Sequence, residues 1–137
     1  MNSIRKLNDR GVAAAEFALL LPVLLMILFG IIEFGMIMYG REVVTNASRE
    51  GARAGIVQRM PPLTAEEIIS VATNYLTGTG INPGQVTIAV PASGGITGTP
   101  VTVTATYNYP WLIPYVPTLL GMPTPFPIAM STTMLHE

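Results

Sequence analysis

The sequence predicts an α+β protein: a long N-terminal membrane-spanning helix, then a small domain of one helix and an antiparallel sheet. Three observations predict it. From Phe17 to Ile32 no residue is charged, and the apolar run continues to Gly40 past a single carboxylate, Glu33. Thr64-Ala65-Glu66-Glu67 then opens a second stretch with helical spacing. Beyond Gly80 the pattern changes to two-residue alternation, most regular in Val101–Tyr109.

Residues 12–59 read as one helix, apolar to Gly40 and amphipathic over 41–59. Its membrane part, residues 17–40, extends about 36 Å as a helix, against a bilayer core of roughly 30 Å. Pro22 and Gly30 fall inside that part, where proline can kink a helix and glycine permits close packing. Glu33 lies about 26 Å along the axis from Glu16 and reads as an interfacial carboxylate facing headgroups, with an intramembrane pair as the alternative. In the extension, Val44, Ala47, Gly51, Ala54 and Gly55 share one side, with Thr45, Asn46, Arg49, Glu50 and Arg53 on the other. Ala47, Gly51 and Gly55 repeat every fourth position, so they stack on one face. Such small side chains admit a neighbouring element, either the protein's own sheet or a helix of another subunit.

Met60-Pro61-Pro62 ends this helix, because a following proline disfavours helical geometry in the residue before it. Thr64 and Glu67 match a capping box. The helix they start runs to about Leu76, buries Ile68, Ile69, Ala72 and Leu76, and stops at Gly78. Val86–Val90 alternates as a strand, Ser93-Gly94-Gly95 turns the chain, Val101–Tyr109 is the clearest strand, and Ile128–Leu135 is the third. Residues Pro110 to Pro127 are too proline-dense for helix or central strand. The chain thus divides into a leader (1–11), the long helix (12–59) and an exported α+β domain (60–137).

Composition narrows the function. Of 137 residues, 11% are charged and 50% apolar, and the net charge is −1. No Lys or Arg follows Arg59, which removes the usual phosphate-contacting groups from the C-terminal half and argues against nucleic acid as a partner. Without cysteine there is no thiol nucleophile, thiolate metal site or lipoprotein anchor in this chain. Catalysis needs convergent titratable groups. Beyond Arg59 there are only Glu66, Glu67, His136, Glu137 and four tyrosines, and the two adjacent glutamates suit a helix start. The expectation is a protein that is not an enzyme and takes no metal and no cofactor.

One motif carries more. Gly11 precedes Val12–Ala15, Glu16 and Phe17, with Arg5, Lys6 and Arg10 in the tail before it. A carboxylate at the mouth of a membrane segment costs roughly 2.5–3.5 kcal/mol if it reaches the bilayer centre, so it normally has a partner. Hydrolysis after Gly11 would create one: the new amine of Val12, four residues from Glu16 in its own helix or beside Glu16 of a neighbouring subunit.

Gly11-x-x-x-x-Glu16-Phe17 resembles the processing motif of the Flp pilins, and the chain resembles the TadE-like family, minor pilins (pseudopilins) of the tight-adherence pilus machinery. Val12–Pro22, Gly51-Ala52-Arg53, Val101–Tyr109 and Thr133-Met134-Leu135-His136-Glu137 share the likeness, in the same order. The resemblance implies cleavage between Gly11 and Val12 by a prepilin peptidase, and subunit docking through Glu16 and Phe17. It implies other pilin or pseudopilin subunits and inner-membrane assembly components as partners, alongside the lipid bilayer. The location implied is the bacterial inner membrane, single pass, with the N-terminus cytoplasmic and the C-terminal domain periplasmic or extracellular, or in the pilus itself. Charge counts do not settle orientation, since Arg41, Arg49, Arg53 and Arg59 flank the other side of the span. The alternative is an uncleaved single-pass accessory protein of an export or signalling complex.

Two further stretches are candidates for contact. Trp111, Leu112, Ile113, Tyr115, Val116, Leu119 and Leu120 either fold back over the sheet or form a partner surface. The threonines of Val101–Tyr109 read as a solvated face, or as part of an edge strand that adds to a partner's sheet.

Overall fold

The computed structural model describes residues 2–93 and 97–136, with side chains over 11–91 and 97–136. The turn expected at Gly94-Gly95 and the terminal Glu137 lie outside the described residues. Helix α1 (Asn2–Gly55) is followed by α2 (Ala65–Leu76), a 3-10 turn, strands β1 (Val86–Ser93) and β2 (Pro100–Tyr109), helix α3 (Tyr115–Leu120) and β3 (Phe126–Leu135). This is the α+β layout the sequence predicts.

α1 contains Pro22, starts ahead of Val12, and stops at Gly55 rather than at residue 59. The stop has a local cause. Glycine is a poor helix former, and the ladder already shifts there, with the Val57 amide donating to the Ala54 carbonyl at 3.4 Å.

The chain forms two compact units, one ending at Gly35 and the other beginning at Met36. In the first, α1 presents large apolar side chains outward, among them Leu19, Leu20, Met26 and Ile31. Glu33, expected to face headgroups, is only 5% exposed.

The second unit takes in the last part of α1, which the sequence division at residue 60 left outside the domain. Helix residues supply one wall of the core: Val43, Val44, Ala47 and Ala52 are buried beside Ile68, Ala72 and Leu76 of α2. Val101, Val103, Ala105, Tyr107 and Tyr109 of β2 and Ile128 of β3 complete it. Ala54, expected on the packed side, is half-buried, while Ser48 and Ala52 are fully buried. Ser48 is tolerated because its hydroxyl lies 2.8 Å from the Thr45 carbonyl and 2.7 Å from Thr132 Oγ1.

α2 begins with the predicted capping box. The Glu67 amide donates to Thr64 Oγ1, and the Thr64 amide donates to the Glu67 carboxylate. Ile69, expected in its buried stripe, is half-buried.

The sheet is antiparallel in the order β1-β2-β3. β2 is therefore central, and its threonines do not belong to an edge. They form the outer face, where Thr102 meets Thr133 at 3.0 Å and Thr104 meets Ser131 at 3.1 Å through their hydroxyls. Both edge strands hold prolines, as edges allow. Pro91 lies in the irregular stretch of β1 between Ala89 and Ala92, and Pro127 lies near the start of β3.

The proline-rich stretch departs from expectation by forming α3. Pro117 is its third residue, where an amide would have no intrahelical acceptor, so a missing N–H costs nothing. Gly121, with φ of 64°, ends it in the left-handed conformation that glycine adopts without strain.

Candidate functional site

Gly11, Val12, Glu16 and Phe17 all lie on α1 in the first unit. Val12 is 53% and Phe17 61% exposed, and space is open around Gly11. Val12 and Glu16 are one turn apart on the same helical face, which is the spacing an amine at Val12 needs to meet the Glu16 carboxylate. Gly11 is also the weakest helical position of this turn, costing about 1 kcal/mol relative to alanine. Local unwinding, which exposes a peptide bond to a protease, is therefore cheapest there.

The small-residue face is occupied by the protein itself. A Cβ added at Gly51 would lie 3.0 Å from Ala72 Cβ and 3.3 Å from Val103 Cγ1. At Gly55 it would lie 2.7 Å from Val101 Cγ1 and 2.9 Å from Ile68 Cδ1. Ala47 is fully buried in the same cluster as Val44 and Ala105. Glycine here lets α2 and β2 approach the α1 backbone, so Ala47, Gly51 and Gly55 are packing residues of this domain.

Gly40 belongs to the same face and was not singled out from the sequence, where it reads only as the end of the apolar run. An added Cβ there would come within 2.9 Å of Tyr107 Cε1. Burial raises the Tyr107 phenol above its ordinary pKa, so the ring stays neutral under this glycine. Beside it lies a cavity of about 270 Å³ lined by Met36, Tyr39, Gly40, Thr79, Gly80, Ile81 and Tyr107. The Tyr39 hydroxyl donates to the Thr79 carbonyl at its edge. The polar side chains of this lining are phenols and one threonine, which offers hydrogen bonding without acid–base or metal-binding groups.

The stretch after β2 divides between the two roles foreseen for it. Trp111 folds back: its indole N–H donates to the Pro123 carbonyl at 3.0 Å, and its ring meets Phe126 edge-on at 5.8 Å and Tyr109 at 6.2 Å. Ile113 is half-buried. Leu112 (59%), Tyr115 (83%), Leu119 (78%) and Leu120 (63%) are turned outward.

The structure thus gathers Ala47, Gly51 and Gly55 with the sheet and α2, and puts the Trp111 stretch at the other end of β2. His136 is buried, with its amide donating to the Thr99 carbonyl and its carbonyl accepting from the Gly98 amide. Among the described residues no three His, Cys, Asp or Glu side chains cluster as metal ligands do.

α1 is long and apolar enough to cross a membrane. Residues 11–53 match the family model described as TadE-like protein. The matched segment starts at Gly11, includes Glu16 and Phe17, spans the apolar run, and ends within the small-residue face. It is the family to which the sequence motif pointed. Comparison with curated proteins and with solved structures returns no match.

Proposed function

We propose that this chain is a minor pilin, or pseudopilin, working in assembly of a tight-adherence pilus. The observation that carries the reading is that the TadE-like match begins at Gly11 and continues through Glu16, Phe17 and the apolar helix. In this reading a prepilin peptidase cuts between Gly11 and Val12, and the chain serves as the substrate of that enzyme without being an enzyme itself. The new Val12 amine neutralises Glu16, in its own helix or in a neighbouring subunit. Phe17 and the outward apolar side chains of α1 face lipid before assembly and other subunits after it. The N-terminus is cytoplasmic, and the domain beginning near Met36 is on the outer side of the inner membrane.

N-terminal sequencing or intact mass of the protein extracted from membranes tests the cut. The mature chain is expected to begin at Val12, and Gly11→Leu is expected to accumulate as full-length precursor. Normal maturation of that variant would remove the basis for a prepilin-type site. Glu16→Ala tests docking separately. Loss of a carboxylate makes insertion easier, so the variant should reach the membrane and be missing from assembled pili. Assembly at the parental level would leave Glu16 as an interfacial residue only.

A further inference from the structure

The small-residue contacts fix the direction of the sheet along α1. Val101 lies over Gly55, Val103 over Gly51 and Tyr107 over Gly40. β2 therefore runs antiparallel to this part of α1, back toward the end of the domain where the chain arrives at Met36. Two residues beyond Tyr107, at about 3.4 Å each, carry Tyr109 about 7 Å further in that direction. The same distance along α1 is four to five residues, at about 1.5 Å each. Tyr109 is thus about level with Met36, and the segment from Trp111 to Met122 leaves the sheet at that end.

α1 exposes large apolar side chains as far as Met38 and Tyr39, and the next residue with a charge is Arg41. If α1 crosses a bilayer, its surface lies near Tyr39 to Arg41, so the segment after β2 reaches lipid. Its chemistry fits that position. No residue from Pro100 to Leu135 is charged. Leu112, Tyr115, Leu119 and Leu120 point outward. Pro110, Pro114, Pro117, Pro123 and Pro125 remove backbone donors that would otherwise lose water on entering the interface. The Trp111 N–H already has its acceptor within the protein.

We propose that Leu112–Leu120 is a second, non-spanning membrane contact. Its outward leucines and Tyr115 are buried at the boundary between headgroups and acyl chains of the bilayer that α1 crosses. The proposal rests on the membrane-anchored reading of α1, and adds that the exported domain is held down on the surface at this end.

The absence of cysteine from the chain makes the test clean. Leu119→Cys, Phe29→Cys and Thr97→Cys are prepared separately in the full chain and labelled with an environment-sensitive fluorophore. Each is reconstituted into vesicles of phosphatidylcholine and phosphatidylglycerol. Lipids spin-labelled at the top of the acyl chain, suited to position 119, or near its end, suited to position 29 at mid-span, and aqueous iodide serve as the quenchers. Lipid quenching with a blue-shifted emission is expected at positions 29 and 119. Position 97, in the loop between β1 and β2 at the opposite end of the sheet, is expected to be reached by iodide alone. Lipid quenching at 29 with position 119 open to iodide would overturn the proposal and leave the anchor intact. Protection of 119 from lipid and aqueous quenchers alike would mean a protein cover, which also overturns it. Lipid quenching at 97 as strong as at 119 would show that the contact is not made by this segment. No lipid quenching at 29 would remove the anchor itself, and the proposal with it.

Discussion

Gly51 and Gly55 are where single atoms decide the packing of the domain. A leucine at Gly51 would have to displace Ala72 and Val103, both held in the core. Overpacking of this kind costs on the order of 1–3 kcal/mol. Gly51→Leu is therefore expected to lower the urea midpoint of the full chain in micelles, with the denaturant slope unchanged. An unchanged midpoint would mean the contact is looser than its 3.0 Å approach implies. Ala47, Gly51 and Gly55 were legible in the sequence because two glycines in an amphipathic helix need a compensating contact. The sequence left open whether that contact was the domain's own. Gly40 was hidden by position, since a glycine closing an apolar run has no polar neighbours to reveal a packed face. Ser48 was hidden by chemistry, because its burial depends on Thr132, far away in sequence, supplying a hydroxyl.

Among the elements, α2 was legible to its first and last residues because both ends carry local signals. Thr64 and Glu67 satisfy each other's amides, and Leu76 precedes the turn at Gly78. Thr64→Ala should cost about 1 kcal/mol through loss of that cap. The domain's denaturation midpoint measures this, and Thr64→Ser should restore most of it. β2 and β3 were legible from alternation, apart from ends that differ by one or two residues. α3 was not, because counting prolines ignores where each one falls: Pro117 occupies a position at which no amide is needed. The sheet order was also beyond the sequence. Alternation says which residues share a face, but it does not say that β2 lies between the other two strands.

At the scale of the molecule, the boundary of the folded domain lies inside α1 and not at its end. Val43, Val44, Ala47 and Ala52 are core residues. A chain starting at Met36 should therefore unfold cooperatively, whereas one starting at residue 60 should lack the near-native cooperative transition. Thermal melts followed by circular dichroism distinguish the two, and a cooperative melt from the shorter chain would contradict the assigned core. The outer face of the sheet has a further consequence. Thr87, Ala89, Thr102, Thr104, Thr106, Ala129, Ser131 and Thr133 make it a surface of hydroxyls and methyls without a formal charge. Dissolved ions weaken attraction between charges and gather around them, but they have little to act on here. A contact formed through this face would hold about as well in brackish or saline water as in fresh.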